Sequence, residues 1–178
     1  MMRVASLFAL ALLAACQGDK ADSEHDKSEV AAAKAPALLP VMIKTASGAH
    51  RFDVEVARTP QEQDKGLMFR KVIAADGGML FPMDPPRTAS FWMKDTLVPL
   101  DMLFIHSDGT IAFIQAQAEP YSRTPVSAGV PVAAVLELRG GRAAELGIGE
   151  GDRVSWGGCA VPTEGLATDL NFCPVPAR

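Results

Sequence analysis

Apolar residues along this chain come in short runs broken by Gly, Pro and Asp, a pattern that predicts strands rather than long helices. The clearest run is Arg51 to Ala57, where Phe52, Val54 and Val56 alternate with Arg51, Asp53 and Glu55, giving one buried and one wet face. It pairs with a strand from Val41 to Thr45 across a turn at Ser47-Gly48. Further strands are predicted at Gly78 to Phe81, Thr88 to Met93, Asp101 to His106, Thr110 to Gln117, Val132 to Leu138 and Arg153 to Trp156. Ser107-Asp108-Gly109 marks a hairpin between two of them. One helix start is explicit: Thr59 caps, Pro60 takes the first helical position, Glu62 completes a capping box, and Gly66 follows Lys65 as the C-terminal cap. A single helical turn is predicted through Ala143 to Leu146. The expected fold is α+β, mainly β: a compact barrel-like domain with one short helix, with no internal repeat and no βαβ alternation.

The amino-terminal pattern differs. Arg3 precedes an uncharged apolar run, Val4 to Ala14, which reads as the core of a signal peptide. It falls short of the roughly 20 apolar residues a spanning helix needs, and polar Gln17, Gly18, Asp19 and Lys20 follow at once. Leu13-Ala14-Ala15-Cys16 resembles the lipobox of bacterial lipoproteins. That resemblance implies cleavage before Cys16, lipid on its sulfur, the membrane as a partner, and a place in the cell envelope facing the periplasm. Gln17, rather than Asp, resembles the pattern sorted to the outer membrane. The alternative is an ordinary secretory signal with an incidental cysteine. From Gln17 to Pro36 there is neither an aromatic residue nor an apolar period, so the segment cannot offset its ordering entropy and reads as a tether. The expected organisation is a signal over 1–15, a tether over 16–37, one β-rich domain over 38–157 and a tail over 158–178.

Charge and cysteines narrow the function classes. The formal net charge is −4, and loss of Arg3 with the signal makes it −5, which disfavours a nucleic-acid partner. With Cys16 lipidated, Cys159 and Cys173 are the remaining thiols, and an oxidising compartment favours joining them. Closing that loop of roughly 15 residues contributes about 3 kcal/mol in the chain-entropy account. The alternative leaves both as small buried residues. His25, His50 and His106 are scattered, and no His-Glu-x-x-His, Gly-x-Ser-x-Gly, Walker or Gly-x-Gly-x-x-Gly pattern occurs, so no cofactor is expected.

Several ordered motifs carry a family resemblance. Gly66-Leu67-Met68-Phe69-Arg70, Gly78-Met79-Leu80-Phe81, Phe91-Trp92-Met93-Lys94-Asp95-Thr96 with Pro99-Leu100-Asp101, Val135-Leu136-Glu137-Leu138, and Gly147-Ile148 with Gly151-Asp152 follow one another in order. Together they resemble the bacterial and archaeal domain of unknown function 192 family, from about Val41 to Trp156. Asp95 stands where that family's Trp-Met-Lys-Asn-Thr pattern has Asn. The resemblance implies a small β-rich fold and no settled activity.

Candidate chemistry centres on Phe91 to Ile105. Lys94, Asp95, Thr96 and Asp101 bracket the apolar Leu97-Val98-Pro99-Leu100 between strands, and Trp92 offers a flat face for stacking a sugar or aromatic ring. The competing account has Asp101 and Thr96 bonding the loop backbone, Trp92 in the core and Lys94 in solvent. Strand alternation puts Glu137 on the wet face; otherwise it is buried against Arg70, Arg87 or Arg139. A buried Glu137 with Asp101 or Asp95 would make an acid–base pair of the glycosidase type. Met68, Met79, Met83, Met93 and Met102, with His106, offer soft ligands for Cu(I), although methionine also fills cores. The candidate ligand-binding set is therefore Trp92, Lys94, Asp95, Asp101, Glu137 and Arg70. It suits a lipid-anchored envelope module binding a glycan, an envelope component or a protein. A paired-carboxylate hydrolase and a methionine-based copper carrier are the alternatives.

Overall fold

The computed structural model describes residues 37–166 and 168–174. The expected signal segment, Cys16 and the expected tether up to Pro36 lie outside the described residues. In chain order the elements are β1 (Leu39–Thr45), β2 (Gly48–Val56), α1 (Pro60–Lys65), β3 (Met79–Thr88), β4 (Leu100–Ile105), β5 (Ile111–Ala118), β6 (Pro131–Arg139), α2 (Arg142–Leu146) and β7 (Arg153–Trp156). The fold is α+β and mainly β.

The strands form one sheet in the order β5-β4-β6-β3-β2-β1-β7. Neighbours are antiparallel except β2 and β3, which run parallel through Glu55–Met79 and Val56–Leu80, with α1 in the crossover. As a ladder the sheet is open, yet it curls until its end strands touch. Thr110 bridges Arg153 of β7, and the Ile111 N–H donates to the Asp152 carbonyl at 2.9 Å.

Local chemistry accounts for the turns. Thr59 Oγ1 accepts from the Glu62 N–H, and the Glu62 carboxylate accepts from the Thr59 N–H, completing the capping box on α1. The Thr59 and Arg58 N–H groups, both donating to that carboxylate, hold it below the usual carboxylate range. In the β4–β5 hairpin, Asp108 Oδ1 accepts from both the N–H and the hydroxyl of Thr110. Gly78 has no alternative, because a Cβ there would drive into the Glu137 carbonyl where β3 begins beside β6.

Two apolar clusters lie on opposite faces of the sheet's centre. One fills the inside of the curl with Val41, Ile43, Phe52, Val54, Leu103, Leu136, Leu138 and Trp156. The other packs Met79, Phe81, Met83, Met93, Met102, Phe104 and Val135 beneath Leu67, Ile73 and Ala89 from the segments around β3. Strands β4 and β6 are thus covered on both sides, and every residue of β4 is buried.

Two local expectations are corrected. Thr88 to Met93 is not a strand of its own: β3 runs on to Thr88 through Pro82, Pro85 and Pro86, with a register shift between Pro82 and Arg87. Beyond it the chain leaves the sheet, with Phe91 making one isolated bridge to Val126. Glu137 does not face water. It is only 4% exposed, because β6 is a central strand and alternation reads wet against dry only where one face is open.

Past β7 the tail folds back. Cys159 and Cys173 are joined with their Cα atoms 5.2 Å apart. Phe172 bridges Trp156, and their rings stack with centroids 4.0 Å apart.

Candidate functional site

Glu137 organises the site. Across the sheet it faces Met79 of β3 and Met102 of β4, so both cross-strand neighbours are apolar. Among the described residues no hydrogen bond or ion pair holds its carboxyl, and burial raises its pKa from 4.5 to about 8. The cations the sequence offered are used elsewhere or stand apart. Arg139 pairs with Glu145, and Arg70 grips Glu55 with two bonds of 2.6 and 2.7 Å. At neutral pH Glu137 is therefore a protonated, hydrogen-bond-donating acid.

Glu137 lies against an open cleft of about 450 Å³. Helix α1 and its cap supply Gln63, Asp64, Lys65 and Gly66. The end of β3 supplies Arg87 and Thr88, and the segment after it Ser90, Phe91, Trp92, Lys94 and Thr96. Phe81 and Phe91 meet edge to face at 5.0 Å and form the apolar wall. Trp92 is 50% exposed, and the Lys94 ammonium sits 5.9 Å from its ring centroid.

The Trp92–Thr96 segment is held by backbone bonds from two other loops. The Phe69 N–H donates to the Asp95 carbonyl at 2.8 Å, the Tyr121 N–H to the Thr96 carbonyl at 3.2 Å, and the Met93 N–H to the Ser122 carbonyl at 2.9 Å. Phe69, Asp95 and Tyr121 all adopt left-handed backbone, with φ of 62°, 52° and 62°. Asn and Asp tolerate that region best after glycine, so the Asn of the family pattern and the Asp95 of this chain suit the same turn.

Asp101, Asp95 and Arg70 fall outside the cleft. Asp101 is fully buried, and its carboxylate accepts from the N–H groups of Gln117, Gly141 and Ala143 at 2.8, 2.9 and 2.8 Å. It thereby caps α2, whose own cap residue Gly141 has no side chain to do so. Asp95 does not line the cleft, so neither aspartate joins Glu137 there as an acid–base partner. Arg70 borders a separate, smaller cleft with Asp53, Glu55 and Val72. Thr96 Oγ1 donates to the Lys94 carbonyl within its own turn. Met79, Met83, Met93 and Met102 pack in one apolar cluster without His106, and Met68 and Met83 touch the cleft. Among the described residues, no group of three or more His, Cys, Asp or Glu side chains is placed to hold a metal ion.

Lys65 and Arg87 are the cleft cations that local sequence patterns did not single out. Arg87 surfaced only as a partner for a buried Glu137, and Lys65 only as the last residue of α1. Each reaches the cleft through tertiary packing of α1 against β3, visible in the Gln63 amide donating to the Pro82 carbonyl at 3.1 Å.

The sequence model of the domain of unknown function 192 family, described as "Uncharacterized ACR", matches residues 42–156. A protein of unknown function from Novosphingobium aromaticivorans DSM 12444 is 46% identical, with TM-score 0.67, over 70% of this chain and 89% of that one. A Sinorhizobium meliloti 1021 protein, named for a proposed role in transcription regulation, is 45% identical, with TM-score 0.66, over 68% of this chain and 95% of that one. No curated protein matches the chain.

Proposed function

Because the chain belongs to the domain of unknown function 192 family, which brings no activity with it, we propose a function from the cleft: a ligand-binding module of the cell envelope that takes a glycan. One observation carries this. An unpartnered, buried Glu137 carboxyl opens onto a cleft that also presents the half-exposed Trp92 ring. Burying a carboxyl without a partner costs several kcal/mol on the usual scale, a cost without structural return unless something docks against it. A neutral acid and an aromatic face in one cleft suit a polyhydroxylated ring: the acid donates to a hydroxyl and the indole stacks on the C–H face.

The envelope placement rests on the lipobox-like Leu13-Ala14-Ala15-Cys16 and its preceding apolar run. Among the described residues no helix is long and apolar enough to cross a membrane, so lipid on Cys16 is the proposed anchor. The transcription role proposed for the S. meliloti protein is not carried over, since a net charge of −4 disfavours a polyanionic nucleic-acid partner.

The test is a thermal-shift screen of the purified protein against peptidoglycan fragments and neutral and acidic oligosaccharides. A ligand preferring the folded state raises Tm, and Trp92→Ala should abolish the rise while leaving the unliganded Tm within a few degrees. A screen in which no saccharide raises Tm overturns the glycan assignment.

A further inference from the structure

The cations around the cleft say which saccharide it takes. Lys65, Arg87 and Lys94 all line it, and none of them makes an ion pair with a carboxylate among the described residues. Elsewhere on the same domain, Arg51, Arg58, Arg70, Arg139 and Arg142 are all paired with Asp or Glu. Arg87 bonds only the neutral Gln63 amide oxygen, at 3.3 Å, and Lys94 only approaches the Trp92 ring. Lys44, Lys71 and Arg123 are also without an ion pair among the described residues but do not line the cleft, whereas the three cations gathered around it leave a local positive field there on a chain whose net charge is −4.

The opposing charges are few. From α1 the cleft receives Asp64 beside Lys65, from β3 it receives Arg87, and from the following segment Lys94. The strand neighbours of Glu137 are Met79 and Met102, which carry no charge. Glu137 itself is neutral at neutral pH, so it donates rather than repels.

Building on the glycan assignment above, we propose that the natural ligand is an anionic saccharide, its acid group held by Arg87 and Lys94 and a hydroxyl facing Glu137 beside Trp92. The acid group is a carboxylate or a phosphate; both present the planar or trigonal oxygens that guanidinium and ammonium donors bind. The positive rim draws the anion in, the buried acid and the indole orient the ring, and an uncharged sugar of equal size uses only the second set of contacts.

The experiment is calorimetric titration of the purified protein with glucose, glucuronate and glucose 6-phosphate at pH 6.5, in low and in high salt. Glucuronate or glucose 6-phosphate should bind at least tenfold tighter than glucose at low salt, the gain expected of one charge-assisted hydrogen bond. High salt should narrow that ratio. The better acid identifies a carboxylate or a phosphate as the natural group. Arg87→Met with Lys94→Met should bring the ratio close to one, with the unliganded Tm within a few degrees of the parent protein. Glu137→Gln, which keeps a donor, should retain binding of all three sugars, whereas Glu137→Leu should weaken it severalfold. Equal or tighter binding of glucose overturns the anionic class and leaves the glycan cleft standing. A preference for acids that survives the double substitution overturns the assignment to Arg87 and Lys94. Failure of all three sugars to bind removes the glycan cleft itself, and the anionic class with it.

Discussion

Glu137 ties stability to pH in a way that one substitution isolates. Its carboxyl titrates at about 8 in the folded protein against 4.5 ordinarily, because the fold buries it without a partner. Between those values the folded chain keeps a proton that the unfolded chain releases, so stability falls as pH rises. The protonated group's contribution is complete below about pH 4.5 and is lost by about pH 8. At about 1.36 kcal/mol for each tenfold change in proton affinity, the whole span corresponds to as much as about 5 kcal/mol. Glu137→Gln has the same shape and does not titrate. Urea unfolding of both proteins at intervals from pH 4 to pH 9 yields the difference in stability, in which every other titrating group cancels. That difference should be flat below pH 4.5, favour the glutamine protein progressively up to about pH 8, and then level off. Curves that stay parallel to within about 1 kcal/mol across this range would refute the unpartnered, buried carboxyl.

Two further predictions concern the frame of the site. Asp101→Ala strands three backbone N–H groups at Gln117, Gly141 and Ala143, the last of them buried, so it should cost about 3 kcal/mol in urea unfolding. Sugar binding by whatever fraction stays folded should be unchanged, and a cost below about 1 kcal/mol would mean the carboxylate does not cap α2. Asp95→Asn should be neutral to within about 0.5 kcal/mol, while Asp95→Ala should cost about 1 kcal/mol for holding φ at 52°. Equal stabilities for the two variants would argue against a left-handed requirement in that turn.

What the sequence disclosed was local chemistry. The Thr59 capping box, the Ser107-Asp108-Gly109 hairpin and the alternation of β2 each lie within a few residues, and each appears in the structure where spacing put it. The competing account of Asp101 and Thr96 as backbone-bonding residues matches their observed partners, whereas Trp92 does not follow its half of that account and stands exposed. The burial of Glu137 could not be read from β6 alone. It depends on β3 and β4 lying on either side and on the segments around β3 closing over the second face. Alternation is silent on whether a strand has one wet face or none. The same limit hid Lys65 and Arg87, which line the same cleft as Glu137 only because a parallel crossover folds α1 over the end of β3.

The returning tail bears on how the domain behaves in a crowded compartment. An open ladder exposes backbone donors and acceptors along its last strand, and such rows invite pairing with a second chain. On β7 that row is already engaged at both ends, Arg153 by Thr110 and Trp156 by Phe172. Phe172 lies next to Cys173, whose bond to Cys159 holds the plug in place. A four-residue strand occupied in this manner leaves no continuous template, so this edge of the sheet carries its own guard against sheet-to-sheet self-association.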